Sequence, residues 1–100
     1  MDFKNKVYSI IERVPKGKVT TYGQVARLAG NSKAARAVGA LMKNNPDTKR
    51  IPCHRVVSSK GKLTGFSAKG GIEKKKEMLL DEGVNFVGDI VDLSRSQIIK

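Results

Sequence analysis

Cys53 and His54 are the only cysteine and the only histidine of this 100-residue chain, and they are adjacent. A single cysteine closes no intramolecular disulfide, and one Cys with one His is too small a donor set for a closed zinc site. The thiol is therefore either an inert member of the core or a nucleophile. Composition alone favours the inert reading, because a free cysteine usually behaves as a small buried hydrophobe. The neighbours favour the reactive one. Pro52 fixes the chain just before the thiol, and a histidine beside it is a candidate base.

The charge balance narrows the partner. Twenty Lys and Arg face nine Asp and Glu, a formal net charge of +11. Such a chain is expected to meet a polyanion, with nucleic acid ahead of an anionic membrane surface. The blander alternative is a basic chain kept soluble by charge, or one associated with ribosomes. No apolar run approaches the length of a membrane span, and Met1–Lys6 contains no apolar signal segment. The unpaired thiol fits a reducing, cytoplasmic setting. At this length, with 39% hydrophobic residues, one small domain covering 1–100 is expected.

The elements that must position the pair follow from periodicity and punctuation. Phe3, Val7, Ile10, Ile11 and Val14 recur at helical spacing, so a helix is predicted over 2–14. Pro15-Lys16-Gly17-Lys18 ends it. Thr21 with Gln24 three residues on fits a capping box for a helix over 22–29 that stops at Gly30. Asn31 or Ser32 is then placed to cap a second helix over 33–43. Helix, Gly-containing turn, helix is a helix-turn-helix arrangement. Its second helix is nearly bare, with Ala34, Ala35, Ala37, Gly39 and Ala40, while Lys33, Arg36 and Lys43 share one face with Ala40. That face is either an ordinary solvated one or a DNA contact; the charge and the turn favour DNA. Asn44 to Asp47 reads as a turn. Strands over 55–58 and 62–66 around Ser59-Lys60-Gly61 read as a small wing, followed by a helix over 72–82 stopped by Gly83. Part of the tail 84–100 is expected to pack back on the core. The predicted fold is mainly α: a small winged helix-turn-helix-like DNA-binding domain with a short β-hairpin wing.

With these pieces in order, the chain resembles the carboxy-terminal, active domain of the O6-alkylguanine-DNA alkyltransferases. The resemblance runs from about Val7 to Leu93. It is carried by Thr21-Tyr22-Gly23-Gln24-Val25-Ala26, Ala34-Ala35-Arg36-Ala37-Val38-Gly39, Asn45-Pro46, Pro52-Cys53-His54-Arg55-Val56, Gly61-x-Leu63-x-Gly65-Phe66 and Lys75-x-x-Met78-Leu79-x-x-Glu82-Gly83. Their order and spacing are specific where each piece alone is weak.

The resemblance implies roles. Cys53 matches the alkyl-accepting nucleophile, His54 the residue that draws its proton through a water, and Glu82 the carboxylate that orients the histidine. A free thiol is only a few per cent thiolate at neutral pH, so such a pair is chemically necessary. Asn45 matches the residue that pins the turn beneath the site. Tyr22 matches the tyrosine that serves the departing guanine and adjusts the flanking phosphate. Arg36 matches the finger that enters the base stack. Thr21, Lys33, Ala37 and Lys43 are expected to bind DNA beside it. Ser67, which matches the residue bonding the guanine O6, and Val56 fall with Tyr22 at the substrate. The implied reaction is a stoichiometric transfer of an alkyl group from O6-alkylguanine to Cys53 after base flipping. No metal or cofactor is implied, the partner is double-stranded DNA carrying the lesion, and the protein is expected to act as a monomer.

The chain also departs from the pattern. Most relatives carry an amino-terminal domain of ribonuclease-H-like shape, expected to be absent here. The loop from Ser67 to Gly71 is longer, so the wall of the base pocket is expected to differ, and Phe66 stands where a Tyr is usual. The small size and Val91-Asp92-Leu93 also resemble the alkyltransferase-like proteins, which bind alkylated DNA without repairing it because another residue, commonly Trp, replaces the acceptor cysteine. Two competing readings follow: a damage sensor with an unreactive Cys53, and a generic basic helix-turn-helix regulator.

Overall fold

Asp2 precedes the first apolar-periodic run, and its carboxylate accepts the Asn5 N–H at 2.8 Å. That cap starts helix α1, Phe3–Glu12, whose Val7, Tyr8 and Ile11 are buried. The computed structural model describes residues 2–44, 50–63 and 71–98. Along the chain follow strand β1 (Thr20–Thr21), helix α2 (Tyr22–Leu28), helix α3 (Ala35–Lys43), a 3-10 turn (Cys53–Arg55), strand β2 (Val56–Val57), helix α4 (Gly71–Asp81), strands β3 (Phe86–Val87) and β4 (Ile90–Val91), and the short helix α5 (Leu93–Ser96). The mainly α expectation agrees with this, and the predicted helices lie within a residue or two of the observed ones.

Thr21 caps α2 as expected, its hydroxyl accepting the Gln24 N–H at 3.0 Å. The Gln24 side chain is engaged elsewhere. It is buried, takes the Thr20 hydroxyl at 2.6 Å and donates to the Ile98 carbonyl at 2.8 Å. The start of α3 differs from the expected cap. Asn31 closes its own turn, accepting the Lys33 N–H at 3.1 Å, and the helix begins later, after Ala34, with no side-chain cap bond. Asn side chains favour such local turns over helix continuation. The helix-turn-helix arrangement itself is present, with Gly30 at φ +97° leaving α2.

The wing is built differently from a simple hairpin. The turn is there: Ser58 N–H reaches the Lys62 carbonyl at 3.0 Å, and Gly61 N–H the Ser58 carbonyl at 2.9 Å. The strand before it, β2, pairs in parallel with β1, Thr20 opposite Val56 and Thr21 opposite Val57. Beyond the turn, Lys62 bridges Ile90 of β4. The rest of the expected second wing strand, 64–66, lies outside the described residues.

The ladder also explains how the core is divided. Successive strand residues point to opposite faces. Val56 therefore joins the cluster of α1, α2 and α3 (Val7, Ile11, Val25, Val38), while Val57 joins Val19, Leu79, Val84 and Val91 on the other side. The tail does pack back. β3 and β4 form an antiparallel hairpin, and Val19 N–H bonds the Ser96 carbonyl while Ile98 N–H bonds the Val19 carbonyl, each at 2.8 Å. Among the described residues no helix is long and apolar enough to cross a membrane.

Candidate active site

Pro52 has φ −76° and ψ 74°, and the Cys53 N–H bonds the Ile51 carbonyl at 2.8 Å. These are the marks of an inverse γ-turn, which the proline ring favours. One residue on, the 3-10 turn closes with Arg55 N–H to the Pro52 carbonyl at 2.9 Å. Two tight turns in succession hold Cys53, His54 and Arg55 where β2 begins. Cys53 and His54 are both buried, 8% and 6% exposed.

His54 Nε2 lies 3.0 Å from Glu82 Oε2. Glu82 follows α4 directly and precedes Gly83, whose φ of +87° turns the chain away. An ionised carboxylate only accepts, so Nε2 carries the proton and Nδ1 is left as the basic nitrogen. Burial pulls the His54 pKa below its ordinary 6.5, opposed by the Glu82 hydrogen bond and charge, and helped by the charges of Arg55 and Lys75. The imidazole is thus neutral at pH 7 and able to take a proton. Burial by itself would raise Glu82, but hydrogen bonds from Arg55 and His54 outweigh it and hold the carboxyl below its usual range. Arg55 grips this carboxylate with two bonds, Nε to Oε1 at 2.9 Å and Nη2 to Oε2 at 2.7 Å.

Lys75 is 1% exposed and donates to the Val56 carbonyl at 2.7 Å. Its ammonium also stands 6.0 Å from the Tyr22 ring centroid. Desolvation lowers its pKa to about 8, with the Cys53 sulfur acting in the opposite sense. Lys75 thereby links β2 to Tyr22. Tyr22 in turn forms one wall of an open groove of about 520 Å³, lined also by Gly23, Arg36, Gly39, Lys43 and Ser58. That volume lies within the range of ligand-binding clefts.

The expected site residues fall out as follows. Cys53, His54 and Glu82 come together. Tyr22, Arg36 and Lys43 share the groove, and Ala37 and Lys33 are exposed on or beside α3. Thr21, expected at the DNA interface, is 5% exposed, and its hydroxyl is the α2 cap. Val56, expected at the substrate, has its side chain fully buried in the core, and its carbonyl accepts from Lys75. Asn45 and Ser67 lie outside the described residues. Arg55 and Lys75 belong to the matching motifs, but the resemblance assigns them no role. The spacing of Lys75, Leu79 and Glu82 at i, i+4 and i+7 already puts all three on one helix face, a signal that could have placed Lys75 inward. Among the described residues no group of three His, Cys, Asp or Glu side chains is arranged to hold a metal.

Residues 2–84 match the family described as 6-O-methylguanine DNA methyltransferase, DNA binding domain. A methylated-DNA–protein-cysteine methyltransferase of Methanosarcina acetivorans is 40% identical over 82% of this chain and 51% of its own length. A DNA base-flipping protein of Escherichia coli is 42% identical over 93% of this chain and 71% of its own. The solved structure of S. pombe Atl1 in complex with damaged DNA containing O6-carboxymethylguanine superposes with a TM-score of 0.83 at 32% identity, covering 98% of this chain and 95% of that one. The chain spans about half the length of the methyltransferase it matches, and 31% of a bifunctional methyltransferase/endonuclease of Picrophilus torridus.

Proposed function

Because the chain belongs to the 6-O-methylguanine DNA methyltransferase family, we propose that it corresponds to the family's carboxy-terminal active domain and repairs O6-alkylguanine in duplex DNA. The observation that carries this reading is the 3.0 Å contact between His54 and Glu82, made by the residue next to the only cysteine. The step balances as a direct displacement. The Cys53 thiol gives its proton to His54 Nδ1 by way of a water. The thiolate forms a sulfur–carbon bond to the alkyl group while the bond from that carbon to O6 breaks. The electron pair stays on the guanine, and the anion takes up a proton, with the Tyr22 hydroxyl on the groove wall as its donor. The thioether is stable, so each chain acts once, and one accepting event needs only one site, that of a monomer. The DNA supplies the alkyl group, and no metal or cofactor enters. The cytoplasm, being reducing, keeps the acceptor a thiol.

α3 supports the DNA side of the reading. Among the described residues no hydrogen bond or ion pair holds the exposed Arg36 side chain, which lies on the groove with Gly39 and Lys43. An alkylated base reaches a buried thiol only when flipped out of the stack, and in this reading Arg36 fills the gap it leaves.

Intact-protein mass spectrometry after incubation with duplex DNA carrying one O6-methylguanine tests the proposal. Gain of a single methyl on the Cys53 peptide, with guanine restored, is the expected result; Cys53→Ala should keep lesion binding and lose the gain. The second reading is a sensor that binds alkylated DNA without transfer. The near-complete mutual coverage with the Atl1 complex favours it. Unchanged mass with lesion-selective binding would establish that reading. Binding that follows DNA sequence instead of the lesion would establish the regulator reading.

A further inference from the structure

Arg55 makes three side-chain hydrogen bonds in the site, and the reaction above gives it no part. Its guanidinium meets Glu82 as a two-pronged fork, at 2.9 and 2.7 Å, and its remaining arm, Nη1, donates to the Val14 carbonyl at 2.8 Å. Val14 lies just beyond α1, so a single planar group ties together the end of α1, the turn that bears Cys53 and His54, and the end of α4. The Arg55 and Glu82 side chains are each 13% exposed. A carboxylate so enclosed has few other orientations, and the oxygen that Arg55 Nη2 holds, Oε2, is the one His54 Nε2 meets.

We infer that Arg55 is a positioning residue for the alkyl transfer: its fork fixes the Glu82 carboxylate so that one oxygen is always presented to His54 Nε2, leaving Nδ1 as the base. The inference rests on the transfer reading. A planar guanidinium suits the task because it satisfies both carboxylate oxygens at once, which an ammonium cannot. The groups facing His54 are Glu82, Arg55 and Lys75, with Cys53 beside it in the turn. Of these only Glu82 favours the imidazolium, and Arg55 opposes it by its charge.

The chain has a single histidine, so its ring signals in an NMR titration report this one site without assignment. The experiment measures that titration, and the single-turnover rate of methyl transfer from duplex O6-methylguanine DNA against pH, for the full chain, Arg55→Met and Arg55→Lys. Arg55→Met should lose roughly 10–100-fold in rate, the scale of loss when the partner that orients a metal-bound histidine is removed. Its His54 titration should move upward, and the acid limb of its rate profile should move with it. Arg55→Lys should return the titration toward the parent, because the charge is back, while recovering only part of the rate, because the fork is not. A parental rate and pH profile in folded Arg55→Met overturns the inference, as does a rate in Arg55→Lys equal to the parent's. Should Arg55→Met fail to fold, Arg55→Lys alone decides: a parental rate overturns the inference. If the parent chain transfers no methyl, the transfer reading has failed, and the positioning role for transfer falls with it; the titrations then still tell whether Arg55 sets the state of His54.

Discussion

The Lys75 ammonium donates to the Val56 carbonyl at 2.7 Å from a position only 1% exposed, beside the Cys53 thiol. Val56 is also the residue where the parallel ladder begins, paired to Thr20. One buried amine therefore joins α4 to the ladder and to the site.

That burial has a sign that can be measured. The pKa of Lys75 falls from 10.5 to about 8 on folding, so between these values the unfolded chain holds a proton that the folded chain has released. The residue's contribution to stability is least below about pH 8 and rises with pH up to about 10.5; the neutral amine still donates to Val56. Urea unfolding of the parent against Lys75→Met should show the difference moving toward the parent by about 3 kcal/mol across that window. A flat difference would mean that the amine is not desolvated.

Glu82→Gln should act on His54 in the opposite sense to loss of Arg55. The carboxylate raises the His54 pKa by its hydrogen bond and charge, so its removal should lower the histidine titration further. Transfer should fall by roughly 10–100-fold. In the parent, transfer should lose rate toward acid only at a pH below 6.5, because the folded histidine is harder to protonate than a free one. A titration that rises in Glu82→Gln would contradict the assignment of the contact.

Gly61 has φ +83°, and a Cβ there would run into the Val91 carbonyl. Its own carbonyl accepts the Val91 N–H at 2.9 Å, so the turn and β4 cannot simply separate. Gly61→Ala should destabilise the domain by about 3 kcal/mol, combining left-handed strain and overpacking. The midpoint of urea unfolding reads this directly, and a midpoint equal to the parent's would refute it.

Gly39 lies within α3 and on the groove, yet a Cβ there meets nothing within 4 Å. The fold does not need it. Gly39→Ala should stabilise the chain by about 1 kcal/mol, since glycine is a poor helix residue. It should also weaken binding to lesion-bearing duplex, because the methyl stands in the groove. Fluorescence anisotropy with unchanged affinity would remove α3 from the DNA contact.

Arg36→Ala should slow transfer from a lesion inside a duplex more than transfer from the free modified base. Only the duplex requires a gap to be filled. Equal losses on the two substrates would leave Arg36 an ordinary phosphate contact.

What the sequence determined by itself was local or compositional. The cap at Thr21, the stops at Pro15, Gly30 and Gly83, and the helical periods needed only near neighbours. So did the choice of Cys53 and His54, which stand alone of their kind and adjacent. Glu82 became legible only through its match to a family pattern, because a carboxylate near a helix end is otherwise a surface charge. Tertiary structure decided the rest. Val56–Val57 pair with Thr20–Thr21 across a long stretch of chain, and no local period specifies a partner at that range. That pairing put Val56 in the core and its carbonyl over Lys75. Gln24 turned inward because Thr20 and Ile98, which are brought together only on folding, offered its amide partners. Arg55 reads in the sequence as one more cation of a basic chain. Only packing the end of α1 against the end of α4 gives its guanidinium a carboxylate and a carbonyl to hold.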